Sequence, residues 1–307
     1  MSINRIVSFL PSATELLYEL DAQDRLYGVT HECNFPDDAG KKPRVIQSVF
    51  EPENMSSKEI DQKILKLVSS GNDIYELQVE NLKKANPDLI ISQEICEVCS
   101  AYTNQVNIAM KILGKRPEVF AMNPHDINGI LSNIDEISRK IHVSNKGKKL
   151  IESLKKRIKF CKEKQVAQKP KVLAIEWIEP FYTAGHWVPE MIDIVGAKNL
   201  ISKKSEHSRK MTFDEIKNSD PDIIILMPCG FNVERTIMEY NKNLKDDPDW
   251  RNLRSVREKN VFAVDANSYF SKPSIRTITG IEILGKIIHP EIFTEIQVPS
   301  ASFRKIN

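Results

Sequence analysis

The chain lacks most of the short signals that announce a function. None of its 307 residues fall in a run of eighteen apolar positions, so no membrane-spanning helix is encoded. No P-loop, G-x-G-x-x-G or G-x-S-x-G motif occurs, and Ser12 with His31 makes no nucleophile elbow. Neither sign of charge is in excess. With 44 basic and 42 acidic residues the net charge is +2, which supports neither a nucleic-acid groove nor a membrane-binding face. Cysteine is scarce and odd in number: five residues in a chain this long argue against a disulfide scaffold and suit a reducing compartment. No secretory leader precedes the apolar run 6–10, so a cytoplasmic location is expected. A leader removed ahead of Met1 would place the protein outside instead.

What is present is globular: 41% hydrophobic and 28% charged residues, in short apolar runs separated by helical spacing. Strands are predicted over 6–10, 26–30, 43–49, 88–92 and 118–122. Helices are predicted from Pro11, and over 56–70, 79–85 and 106–113. From 126 to about 165 the strand signal stops. Apolar residues recur at Ile127, Ile130, Leu131, Ile134, Ile137 and Ile141, then at Leu150, Ile151, Leu154 and Ile158. That spacing predicts one long helix, or two in line, acting as a spine.

Beyond the spine the pattern of the first half returns. NLKKANPDLII at 81–91 has a partner in IKNSDPDIII at 216–225. RIVSFL at 5–10 matches KVLAIE at 171–176, and EVFAMN at 118–123 matches NVFAVD at 260–265. Each is followed by a helix or a strand in the same order. The expected fold is therefore α/β: two similar lobes, each a mostly parallel sheet flanked by helices, joined by a long backbone helix. The domains are 1–125, a connecting helix 126–166, and 167–307. A ligand cleft is expected between the lobes.

The richest loop is 176–190, EWIEPFYTAGHWVPE, read as a strand-to-helix connection. Such connections at the carboxyl ends of parallel strands line ligand crevices. Its aromatics offer flat apolar walls, and its His and Glu offer polar anchors. The plain alternative makes Trp177 and Phe181 core residues and His186 a satisfied loop histidine. His186 follows Gly185 and enters the helix at Pro189, where the helix end would disfavour its protonated form.

These landmarks resemble the helix-spine substrate-binding proteins of ABC transporters, the group that carries vitamin B12, haem and ferric siderophores. The carriers of the resemblance are RIVSFLPSATE at 5–15, NLKKANPDLII at 81–91 and FYTAGHWVPEMIDIVGA at 181–197. The wording is closest to the branch labelled cobalamin-binding. The resemblance implies binding of a corrinoid or similar metal chelate, service to an ABC permease, and a monomer that is not embedded in a membrane. The ligand-binding candidates are Ser12, His31, Glu32, Gln93, Trp177, Phe181, His186, Trp187, Phe231, Tyr269 and Arg276. Tyr269 and Arg276 either cap a helix or close the cleft wall, with Arg276 on an acidic ligand edge.

Two features depart from that family: the missing leader and four loop cysteines. Cys96 and Cys99 form a C-x-x-C at a strand end, and Cys33 and Cys229 fall in equivalent loops. Thiolates with an imidazole suit zinc or an iron–sulfur cluster, or a ligand to a corrinoid cobalt. The plain alternative is four small buried hydrophobes. An intracellular enzyme or metal carrier built on that Cys/His set is the alternative function. No residue is assigned a catalytic role: Glu32, Glu94, Glu97, Glu176, Glu179 and Glu190 can serve as acid or base, but nothing fixes their separation.

Overall fold

A computed structural model describes residues 3–94, 101–164 and 166–306, with the side chains of 101–103 excepted. The chain divides into two compact units. The first holds residues 1–54, 62–124 and 128–153, and the second 55–61, 125–127 and 154–307.

The first unit is built on strands β1 (Ile6–Ser8), β2 (Leu26–Thr30), β3 (Arg44–Ser48), β4 (Tyr75–Leu77), β5 (Leu89–Gln93) and β6 (Glu118–Met122). They form one sheet in the order β4-β3-β2-β1-β5-β6. All neighbours are parallel except β3 and β4. The inner strands are apolar runs because helices cover both faces of a parallel sheet. β1 is buried throughout, and Val7, Phe9, Ile46, Leu82, Ile90 and Ala109 share one core. Edge strand β4 has two half-exposed residues around the exposed Glu76 and no apolar run, so periodicity does not reveal it.

The second unit uses β7 (Lys171–Trp177), β8 (Tyr182–Thr183), β9 (Lys198–Asn199), β10 (Ile223–Leu226), β11 (Val261–Val264) and β12 (Phe303–Ile306). The order is β12-β11-β10-β7-β8, with β9 also on β7. β7, β10 and β11 are parallel, and β12 closes the edge antiparallel to β11. Its core gathers Leu173, Ile175, Ile224, Leu226 and Ala263 around the fully buried Trp250.

The internal repeat is physical. In the first unit Asn86 takes a left-handed conformation, and the Asp88 carboxylate accepts the backbone amides of Asn4 and Arg5 at 3.1 and 3.0 Å. In the second, Asp220 takes the same conformation, and Asp222 accepts the Lys171 amide at 2.6 Å. Each Pro-Asp corner thus fastens the start of the neighbouring strand, β1 or β7. β1-β5-β6 and β7-β10-β11 run in matching order.

The helical stretch after β6 is two helices, Ile127–Lys140 and Ser144–Lys162. They do not continue in line. A continuous helix would separate residues 138 and 147 by about 13 Å. Instead a Cβ on Gly147 would lie 2.4 Å from that of Ser138. The chain turns at His142, whose φ is +60°, and the second helix starts against the first, a contact only glycine permits. The backbone helix is therefore Ser144–Lys162, with residues up to Ser153 in the first unit and the rest in the second.

Candidate functional site

The 176–190 stretch is not a simple strand-to-helix loop. After Trp177 the chain doubles back, and β8 pairs antiparallel with β7, setting Thr183 beside Ile175 and Tyr182 beside Trp177. This hairpin sends the aromatics to different places. Phe181 stacks on Trp250 at 5.9 Å and packs against the core. Trp187 is 3% exposed and its indole donates to the Phe270 carbonyl at 2.9 Å. Trp177 lies 5.4 Å from Phe231 and donates to the Ser57 carbonyl at 3.2 Å. Phe231 is buried under the Arg235 guanidinium, 4.4 Å from its ring. The expected wall of Phe181 and Trp187 beside His186 is therefore half present: the Trp187 ring is 5.5 Å from that of His186, while Phe181 belongs to the Trp250 cluster.

His186 itself is held in a left-handed conformation with φ +54°, which histidine tolerates better than most residues. Its amide donates to the Glu206 carbonyl at 2.6 Å, and its carbonyl accepts from the Ser205 amide at 2.9 Å. Gly185 allows this pairing. A Cβ there would meet the Glu206 carbonyl oxygen at 2.5 Å and the Ser208 nitrogen at 2.6 Å. The backbone that comes close to Gly185 is thus the protein's own 206–208 segment. Ser208 extends the contact: its hydroxyl accepts from the Gly185 amide at 3.1 Å and donates to Glu176 at 2.8 Å. Burial pushes the Glu176 carboxyl up, and the bonds from Ser208 and Gly185 partly offset this.

Two histidines without any local sequence signal join His186. His125 precedes the helix Ile127–Lys140, and His207 lies on the exposed 203–207 loop. Ring centres are 5.8 Å apart for His125 and His186, 5.4 Å for His125 and His207, and 5.0 Å for His186 and His207. All three belong to the second unit. The 125–127 segment is fixed by Glu190, which accepts from the Ile127 amide at 3.0 Å and from Lys204 at 2.8 Å; Lys204 also reaches Asp126 at 3.7 Å. Burial first, then the neighbouring His207 and His125, lowers the His186 pKa to about 4. The imidazole is neutral at pH 7, and burial rather than the helix end is the main cause. Nδ1 of both His125 and His186 is shut from solvent without a hydrogen-bond partner. Among the described residues, no group of three or more His, Cys, Asp or Glu side chains is placed to hold a metal ion.

The first-unit candidates gather at the carboxyl ends of β1, β2 and β5. Ser12 is buried, and its hydroxyl has no partner. His31 is half-buried, 5.8 Å from Tyr75, with its pKa lowered by burial against the pull of Glu32. Glu32 is exposed and Gln93 half-buried. Cys33 is 1% exposed and receives the Thr14 hydroxyl at 3.2 Å on its sulfur. Burial pushes this thiol up, which opposes the thiolate that a metal ligand needs. Cys229 is exposed, in the second unit. Cys96 and Cys99 lie outside the described residues. Tyr269 and Arg276 are half-buried, the guanidinium 5.7 Å from the ring.

Two mostly parallel sheets with polar and aromatic groups at their strand ends find counterparts among known proteins. The chain belongs to the periplasmic binding protein family, whose model matches residues 6–268. It is 22% identical over 299 residues to the uncharacterized ABC transporter substrate-binding lipoprotein YvrC of Bacillus subtilis, covering 95% of this chain and 82% of that protein. It is also 22% identical over 196 residues to the high-affinity heme uptake system protein IsdE of Staphylococcus aureus, covering 62% of this chain and 64% of that one. In structure it is similar to the periplasmic vitamin B12 binding protein BtuF of Vibrio cholerae. The TM-score is 0.66 at 18% identity, over 96% of this chain and 99% of that one. The expectation of a cytoplasmic protein is thereby corrected. The family is one of periplasmic binding proteins, and a relative matched over most of its length is a lipoprotein.

Proposed function

We propose that this protein captures a metal chelate outside the cytoplasmic membrane and passes it to an ABC permease. The observation that carries the reading is the family match across residues 6–268. Support for the ligand class comes from the relatives, one named for heme uptake, and from a structural neighbour that binds vitamin B12. A corrinoid is the first choice. The neutral, half-buried imidazole of His186 is suited to the axial position of a chelated cobalt or iron, because a neutral nitrogen is already free of its competing proton. Haem is the second reading, favoured by the staphylococcal relative.

The test is a spectral titration with hydroxocobalamin, haemin and a ferric siderophore. Tryptophan quenching is the second readout, since Trp177, Trp187 and Trp250 all lie in the second unit. We expect one chelate to bind with a shifted visible band. His186→Ala should weaken it at least about tenfold, roughly 1.4 kcal/mol. Absence of saturable binding for all three chelates would refute the reading.

A further inference from the structure

We propose that His125, His186 and His207 form a site for one divalent transition-metal ion of the zinc or cobalt(II) kind, taken up as the bare ion. This goes beyond the chelate reading and does not depend on it. Three of the chain's six histidines stand within one another's reach, brought from three separate segments of the second unit.

The spacing suits a common ion. An ion bound by imidazole nitrogen at about 2.0–2.1 Å sits about 3.2 Å from each ring centre. At the tetrahedral angle, ring centres are then about 5.2 Å apart. The measured 5.0, 5.4 and 5.8 Å lie around that value. As the rings stand, the three side chains are not placed to hold an ion, and His207 lies edge-on to both other rings, at 84° and 87°. The axis from Cβ to Cγ runs nearly through the ring, so turning a ring moves its nitrogens and leaves its centre in place. That torsion is broad in histidine, and His207 is exposed and free to turn. Ring rotation is the movement the proposal asks of these side chains.

A second observation also calls for a ligand. The Nδ1 atoms of His125 and His186 are closed to water and lack partners. A buried polar atom without a partner is destabilising, and a metal bond or a turned ring relieves it. Imidazole donors select zinc, copper, nickel or cobalt over magnesium or calcium, which prefer oxygen. The backbone ties of 186 to 205–206, and of 127 to Glu190, hold the three segments together before any ion arrives. With three protein donors, the fourth tetrahedral position is left for water or an external ligand.

The experiment is titration of chelator-treated protein with cobalt(II), followed by its visible ligand-field bands and by competition with zinc. We expect one ion per chain with intense tetrahedral bands. His125→Ala, His186→Ala and His207→Ala should each weaken binding at least about tenfold. His142→Asn, at an exposed first-unit position, should leave it unchanged. Near-UV circular dichroism checks the fold of each variant, and the exposed His207 decides if another variant does not fold. Failure of cobalt to saturate one site would overturn the proposal, as would full binding in His207→Ala. So would loss confined to Cys33→Ala, Cys96→Ala, Cys99→Ala or Cys229→Ala. Chelate binding is measured separately on the same chelator-treated protein, so either reading can fail alone.

Discussion

Substituting Gly185 by alanine should destabilise the second unit, and the size of the effect follows from the contacts. A Cβ at 185 would stand 2.5 Å from the Glu206 oxygen, 2.6 Å from the Ser208 nitrogen and 2.8 Å from the His207 carbonyl carbon. All three are backbone atoms, so no side chain can swing aside. Ordinary van der Waals separation is about 3.5 Å, and the 206–208 segment must retreat by up to about 1 Å. Such overpacking costs about 1–3 kcal/mol. The retreat also stretches the bonds of the His186 amide to Glu206, of Ser205 to the His186 carbonyl, and of Gly185 to Ser208. Losing one or two of them adds about 0.5–1.5 kcal/mol each. Reduced freedom of the unfolded chain returns about 0.4–1 kcal/mol. The net expectation is a loss of about 2–3 kcal/mol. Urea unfolding followed by tryptophan emission reads it directly, because all three tryptophans lie in the second unit. With a slope of about 2 kcal/mol per molar urea, the midpoint falls by about 1–1.5 M. Gly230→Asn is the comparison. That site has φ +77° and no neighbour within 4 Å, and Asn tolerates the left-handed conformation, so its cost should stay below about 1 kcal/mol. A Gly185→Ala midpoint within about 0.25 M of wild type would refute the crowding argument.

The repeated corners should respond alike. Asp88→Ala and Asp222→Ala each remove a carboxylate that accepts strand-start amides, and each should cost about 1.5–3 kcal/mol in denaturation followed by circular dichroism. A loss at one corner only would mean that the corners are not mechanically equivalent. Acid unfolding should reveal Arg254. Its guanidinium, helped by Lys171, lowers Asp220 to about 2, so this contribution to stability is complete above about pH 4 and is lost as pH falls towards 2. Arg254→Met should therefore be less stable than wild type at neutral pH, with the gap narrowing between pH 4 and 2; a gap constant over that range would contradict the assignment. His186→Ala should lower stability by less than about 1 kcal/mol while weakening chelate binding, since its half-buried ring leaves no closed cavity. Large destabilisation with unchanged binding would make His186 a packing residue.

Much of the fold was legible because local patterns carry it. β2 and β6 follow from their apolar runs with the same ends, and the helix Val79–Ala85 ends at the Asn86-Pro87 stop. The two Pro-Asp corners showed the repeat, because the same bonding problem at the start of β1 and β7 is solved by the same residues. The turn at His142 was less visible: helical spacing on both sides reads alike whether the second helix continues or folds back. Only Gly147, packed on Ser138, marks the difference. The 176–190 stretch shows the same limit. Its aromatics cluster in sequence, yet the chain doubles back through β8 between them, so Phe181 joins Trp250 while Trp187, beyond the hairpin, stays near His186.

By itself, the sequence determined the α/β class, the two-unit repeat and His186 as a residue of interest, all of which rest on neighbours along the chain. Only the tertiary structure decided that His125 and His207 stand beside it. Isolated histidines have no periodicity, and their approach is set by contacts far apart in the chain: Glu190 holding the 125–127 segment, and the pairing of 186 with 205–206 that Gly185 allows.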